Sequence, residues 1–99
     1  MEVIVLGSDC VMTQKYVELV KRRLDALRRY GVVVASTDAE VHDHYGVQDR
    51  CKPGICPGCG FLFPMKGAYL PALVVNGKVE LHSRFPSVNE VNVILKRIK

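Results

Sequence analysis

The sequence predicts a single α/β domain, and three observations carry that expectation. A short apolar run, Glu2 to Gly7 (EVIVLG), has the length and β-rich composition of a buried strand. Val17, Val20, Leu24 and Leu27 then recur at helical spacing, one face of a long amphipathic helix. Further on, Asn76-Gly77 between the apolar ALVV of Ala72 to Val75 and the alternating KVELH of Lys78 to His82 is the strongest short hairpin signal a sequence can carry. At 99 residues the chain is long enough for a core of its own, and it shows no internal repeat, low-complexity tract or second domain, so residues 1–99 read as one unit.

The elements follow in order. After the first strand, Ser8 and Asp9 are good N-cap residues, and the helix they introduce is expected to end near Tyr30 with Gly31 as its cap. Cys10 therefore falls at a strand-to-helix junction. Val32 to Thr37 (VVVAST) reads as a second buried strand, and Asp38 caps a shorter helix that runs to about Tyr45 and stops at Gly46. A long stretch without periodicity, about 48–69, comes next; loops of that length inside a small domain are uncommon and usually functional. Pro71 opens the hairpin, and Ser87-Val88-Asn89-Glu90 is a capping box that starts a last helix with Val91, Ile94, Leu95 and Ile98 on one face. The order is βαβα-ββα.

Composition narrows the function classes. No apolar run approaches the length needed to span a membrane, and the amino terminus lacks the charge and apolar core of a signal peptide, so the expectation is a cytoplasmic protein with no membrane partner. The net charge is +4, with basic residues gathered at Lys21-Arg22-Arg23, Arg28-Arg29 and Lys96 to Lys99. These fall toward helix ends, where cations complement the dipole, and no aromatic or glycine pattern accompanies them, so no nucleic-acid partner is expected. His42 and His44 stand two apart, on opposite sides of a helix, and read as surface residues rather than a ligand pair. His82 reads as structural or exposed.

The chemistry concentrates in the cysteines. Cys51-Lys-Pro-Gly-Ile-Cys56-Pro-Gly-Cys59-Gly places three of the four cysteines in the spacing C-x4-C-x2-C, among prolines and glycines that keep the segment out of helix and strand. Core packing does not call for grouped thiols; chemistry in which sulfurs meet does. In a cytoplasmic chain with a core of its own, such a cluster points to catalysis or metal binding rather than to a disulfide framework. Phe61-Leu62-Phe63-Pro64-Met65 follows directly and reads as an anchor for the loop on the core, or as a shield for the cluster.

Taken with their order, three local matches resemble the thioredoxin fold in its small, glutaredoxin-sized form. Cys10 stands at the first strand–helix junction, where that family keeps its nucleophilic thiol. Leu70-Pro71-Ala72-Leu73-Val74-Val75-Asn76-Gly77 looks like the family's cis-proline, strand and hairpin, and Tyr45-Gly46-Val47 looks like the end of its second helix. The resemblance implies a thioredoxin-like superfamily member with a four-stranded mixed sheet and three helices. It also implies a cysteine-rich insertion of roughly twenty residues before the proline, where ordinary members have about three. Because the proline loop packs beside the nucleophile in that fold, the insertion would arrive at Cys10. Two departures stand out. The first-helix motif is Cys10-Val11-Met12-Thr13, C-x-x-T, so no second thiol lies one turn along. Nor is there a match to the full motifs of small redox-disulfide proteins, arsenic-binding metallochaperones or thioredoxin-like ferredoxins.

Two kinds of chemistry remain open. In a redox reading, Cys10 attacks, one of Cys51, Cys56 or Cys59 resolves, and Pro71 positions the substrate backbone; Cys56-Pro-Gly-Cys59 is itself a C-x-x-C. The partner would be a thiol or disulfide protein, either a reductase or a client, and no cofactor is required. In a metal reading, Cys10, Cys51, Cys56 and Cys59 hold zinc as four thiolates, Cys56 to Gly60 resembling one knuckle of a zinc ribbon, or they hold an iron–sulfur cluster for electron transfer or metal handling. The plant-type cluster pattern has the same close spacing but takes its fourth ligand downstream, whereas Cys10 lies upstream. A third possibility is an interaction module whose thiols are dispensable.

Overall fold

The computed structural model describes residues 1–48, 68–83 and 85–97. The stretch 49–67, with Cys51, Cys56, Cys59 and the apolar run 61–65, lies outside the described residues, as do Arg84, Ile98 and Lys99. The chain orders as β1 (Glu2–Leu6), α1 (Val11–Ala26), β2 (Val32–Ser36), α2 (Ala39–His44), β3 (Val47–Gln48), β4 (Ala68–Tyr69), β5 (Ala72–Val75), β6 (Lys78–Leu81) and α3 (Val88–Arg97). Four strands form one mixed sheet in the order β2-β1-β5-β6, parallel between β1 and β2 and antiparallel elsewhere. The expected α/β domain with a four-stranded mixed sheet and three helices is present.

The two sheet faces bury different clusters. Val3 and Val5 of β1 and Leu73 and Val75 of β5 pack against Tyr16, Val20 and Leu24 of α1 and Val91, Ile94 and Leu95 of α3. Leu6, Ala72 and Val74 turn the other way, toward Val47, Leu70 and the half-buried Val41 and Tyr45 around α2. The alternation along β1 and β5 follows from the period of two in a strand, so one sequence run feeds both cores. Basic side chains tie the two large helices together. Arg23 Nε donates to Asn92 Oδ1 at 2.6 Å, and an Arg29 guanidinium N–H donates to the Leu95 carbonyl at 2.6 Å, in the last turn of α3 where orphaned carbonyls need donors.

Several caps fall where their residues predict. Asp38 accepts from the Glu40 N–H, Ser87 and Glu90 exchange the two bonds of a capping box, and Gly46 closes α2 at φ +70. Asn76 and Gly77 both take positive φ, as a two-residue hairpin turn requires.

Four expectations need correction. The residue at the N-cap of α1 is Cys10, not Ser8 or Asp9. The helix stops at Ala26 with Leu27 as C-cap, because Arg28 turns to φ +55, so Gly31 is not its cap. Strand β2 is not buried: it is an edge, and Val32 and Val34 stay 56% and 48% exposed because the six-residue α2 is too short to cover them. Finally, the ends of the long loop are ordered as strands. Val47 and Gln48 pair in parallel with Ala68 and Tyr69, a ladder too short to leave any periodic trace in sequence.

Candidate functional site

The site lies at the end of the sheet where β1 and β2 finish and β5 begins. β1 pairs with β5 antiparallel, with Leu6 opposite Ala72. One step further along that register, Gly7 comes opposite Pro71. The Leu70–Pro71 peptide is cis, and Pro71 is buried. Cys10 follows Gly7 by three residues. Both residues therefore lie at this end of the sheet, and the β3–β4 ladder brings both ends of the stretch 49–67 to the residues just before that proline. The Leu70 N–H donates to the Gln48 carbonyl at 3.0 Å and fastens the ladder there. Cys51, Cys56 and Cys59 lie outside the described residues.

Cys10 is exposed, with extended backbone at the N-cap of α1. Its Sγ lies 3.6 Å from Thr13 Oγ1. Thr13 is 6% exposed, and its hydroxyl donates to the Ser8 carbonyl at 2.6 Å. Gly7 makes this arrangement possible, since a Cβ at that position would collide with Thr13 Oγ1. Desolvation pushes the Cys10 thiol up, as does the Asp9 charge. The Thr13 amide, the Thr13 hydroxyl and the Met12 amide pull it down, and the net position is below the ordinary value for a thiol. The Thr13 and Met12 amides exert this pull from the first turn of α1, without a side-chain cap hydrogen bond at Cys10. The hydroxyl has a single proton, held by the Ser8 carbonyl; it favours the thiolate only by turning from that bond, and otherwise accepts from S–H.

Neighbouring groups stiffen the same end of the sheet. The Ser36 carbonyl accepts from the Gly7 N–H at 3.1 Å and from His42 Nε2 at 2.9 Å, which assigns the proton to Nε2. His42 is 4% exposed, which corrects its reading as a surface histidine: it pins the end of β2 to α2. His44 and His82 are exposed. Ser83, at φ +71, exchanges two bonds with the Tyr69 backbone, its N–H donating at 2.7 Å and its Oγ accepting at 3.1 Å, so β4 is tied to the end of β6. The Ser8 Oγ is buried and has no hydrogen-bond partner among the described residues.

Sequence reading located Cys10 and Pro71 but missed the part played by Gly7 and Thr13. The available signal was a glycine three residues before the cysteine and a small hydroxyl residue three after it, which together allow close packing beneath a helix N-terminus. Among the described residues, no group of three His, Cys, Asp or Glu side chains is placed to hold a metal ion. No helix among them is long and apolar enough to cross a membrane. No protein-family model, curated protein or solved structure matches the chain.

Proposed function

We propose that the protein is a thioredoxin-fold thiol protein of the cytoplasm that exchanges disulfides or passes electrons through Cys10, with Cys56 or Cys59 as the resolving thiol. The observation that carries this reading is the register of β1 against β5, which sets cis Pro71 opposite Gly7, three residues before an exposed thiol whose pKa is lowered. The strand order β2-β1-β5-β6 and the two helices on one face with one on the other support the same fold assignment.

The chemistry follows from the thiolate. Cys10 sulfur attacks one sulfur of a substrate disulfide, forms a mixed disulfide and releases the other half as a thiolate. Thr13 occupies the position from which a second cysteine would resolve it, so the resolving thiol comes from elsewhere in the chain. A thiolate at Cys56 or Cys59 attacks the Cys10 sulfur, releases the second substrate thiolate, and leaves Cys10 joined to itself. Two electrons have then passed to the substrate, and a dithiol reductant restores the pair. Pro71, opposite Gly7, would hold the substrate backbone.

The experiment is anaerobic purification, followed on one sample by a visible spectrum, metal and sulfide analysis and a free-thiol count, and then a disulfide-reduction assay of wild type and Cys10→Ser. The reading expects a colourless, metal-free protein that loses two thiols on mild oxidation and regains them with reductant, and a loss of at least about 100-fold in activity for the variant. Stoichiometric zinc, or iron with sulfide, released by replacing any one of the four cysteines, would overturn it in favour of a four-thiolate metal or cluster site.

A further inference from the structure

The two edges of the four-stranded sheet are finished differently. β6 carries Lys78 and Glu80, the latter paired with Arg97, and its register against β5 shifts between Leu73 and Val74. Charges and register breaks of this kind discourage pairing with another chain. β2 is Val-Val-Val-Ala-Ser, with no charge and no proline, and it pairs with β1 in unbroken register. Its inner side is defined by two bonds: the Val32 N–H donates to the Met1 carbonyl, and the Ser36 carbonyl accepts from Gly7. In a parallel ladder alternate residues face the neighbour, so Val32, Val34 and Ser36 turn their backbone groups inward while Val33 and Ala35 turn theirs outward. Val32 and Val34 also present their side chains on the α2 face, each about half exposed.

We propose that this edge takes a second copy of the same chain, β2 pairing antiparallel with β2 about a two-fold axis at Val34. That centre matches all five residues of the strand to themselves. Val33 of one copy faces Ala35 of the other, and these are the residues whose N–H and C=O groups point outward, so the pair exchanges two hydrogen bonds and symmetry repeats them. Val34 meets Val34, a non-hydrogen-bonded pair in which side chains approach closely. The flanks are complementary in charge: the exposed Arg28 precedes the strand, the exposed Asp38 and Glu40 follow it, and antiparallel pairing lays the basic flank of each copy along the acidic flank of the other. A strand with no charge of its own brings no like charges together. The Cys10 corner lies beyond the end of β1 and not on this edge, so the association stands or falls independently of the thiol chemistry. Two five-residue strands make a small interface against the roughly 1,200–2,000 Å² of stable complexes, so the dimer forms at high micromolar concentration.

Sedimentation equilibrium of the full chain under reducing conditions, from about 10 µM to about 1 mM, reads the association without disulfide cross-links. The expected result is a reversible monomer–dimer equilibrium. Val34→Lys, at an exposed position, is expected to weaken it at least about tenfold while the circular dichroism spectrum stays unchanged. Arg28→Glu and Glu40→Arg alone weaken it about threefold or more, and the double exchange restores it. A monomer throughout this range, or a dimer that neither Val34→Lys nor the charge exchange alters, would overturn the proposal.

Discussion

The two ends of the sheet are built from the same four strands and closed in opposite ways. At one end the chain closes on itself through a turn and its first residue, Asn76. The Asn76-Gly77 turn joins β5 to β6, the Asn76 N–H donates to the Glu2 carbonyl at 2.8 Å, and its side chain accepts from the Glu2 N–H at 2.9 Å. At the other end the closure is made by side chains around a thiol. The Thr13 hydroxyl holds the Ser8 carbonyl, His42 holds Ser36, Ser83 holds Tyr69, and Cys10 stays exposed at the helix terminus between them. A hairpin turn and a pairing of residues 74 positions apart stabilise the first end. The second is held by side-chain contacts that span only 5 to 14 residues of sequence, and it leaves the Cys10 thiol exposed.

Perturbing each end in turn breaks or sharpens this contrast. The largest effect is expected at Gly7→Ala, where the added Cβ meets the buried Thr13 side chain, a cost of about 2–3 kcal/mol by urea unfolding. In a Thr13→Ala background, which removes the two nearest obstructing atoms, the same change should cost at least about 0.5 kcal/mol less. Additive costs would show that the two residues do not meet as described. At the turn end, Gly77→Ala forces a side chain into φ +83 and should cost about 1 kcal/mol, with no change in the alkylation rate of Cys10. A shift in that rate would show the ends to be coupled.

Asp38→Ala removes the N-cap of α2 and should cost about 1 kcal/mol. It should leave the pH profile of Cys10 in place. That profile is the smallest effect to be measured. Because the folded thiol titrates below its ordinary value, the alkylation rate should reach its plateau at lower pH than for an unstructured cysteine, whose midpoint is about 8.5. Denaturation in urea should move the midpoint up to that value. The stabilisation this ionised thiol lends the fold is present above the unfolded pKa and is lost as pH falls through the folded one.

Sequence made much of the frame legible because its signals are local. The apolar run of β1, the caps at Asp38 and Ser87, and Asn76-Gly77 each act within a few residues, and each forms as its chemistry predicts. What stayed hidden depends on distance. Strand β2 has a buried strand's composition, but burial is decided by what covers a strand, and the short α2 leaves Val32 and Val34 open. His42 has the look of a surface residue until the Ser36 carbonyl six residues earlier becomes its partner. The β3–β4 ladder joins Val47 to Ala68 across 19 intervening residues outside the described part of the fold, and two-residue strands have no period to read. At the site, Cys10 and Pro71 could be picked out as chemistry-bearing residues, but the register of β1 with β5 is what sets both at one end of the sheet.

The central claim is that Cys56 or Cys59 resolves a disulfide formed at Cys10. Its most direct measurement is peptide mapping by mass spectrometry of protein oxidised mildly under dilute conditions and alkylated before digestion. The account predicts an intramolecular Cys10–Cys56 or Cys10–Cys59 disulfide that disappears on reduction. A disulfide confined to Cys51, Cys56 and Cys59, with Cys10 alkylated in full, would contradict it.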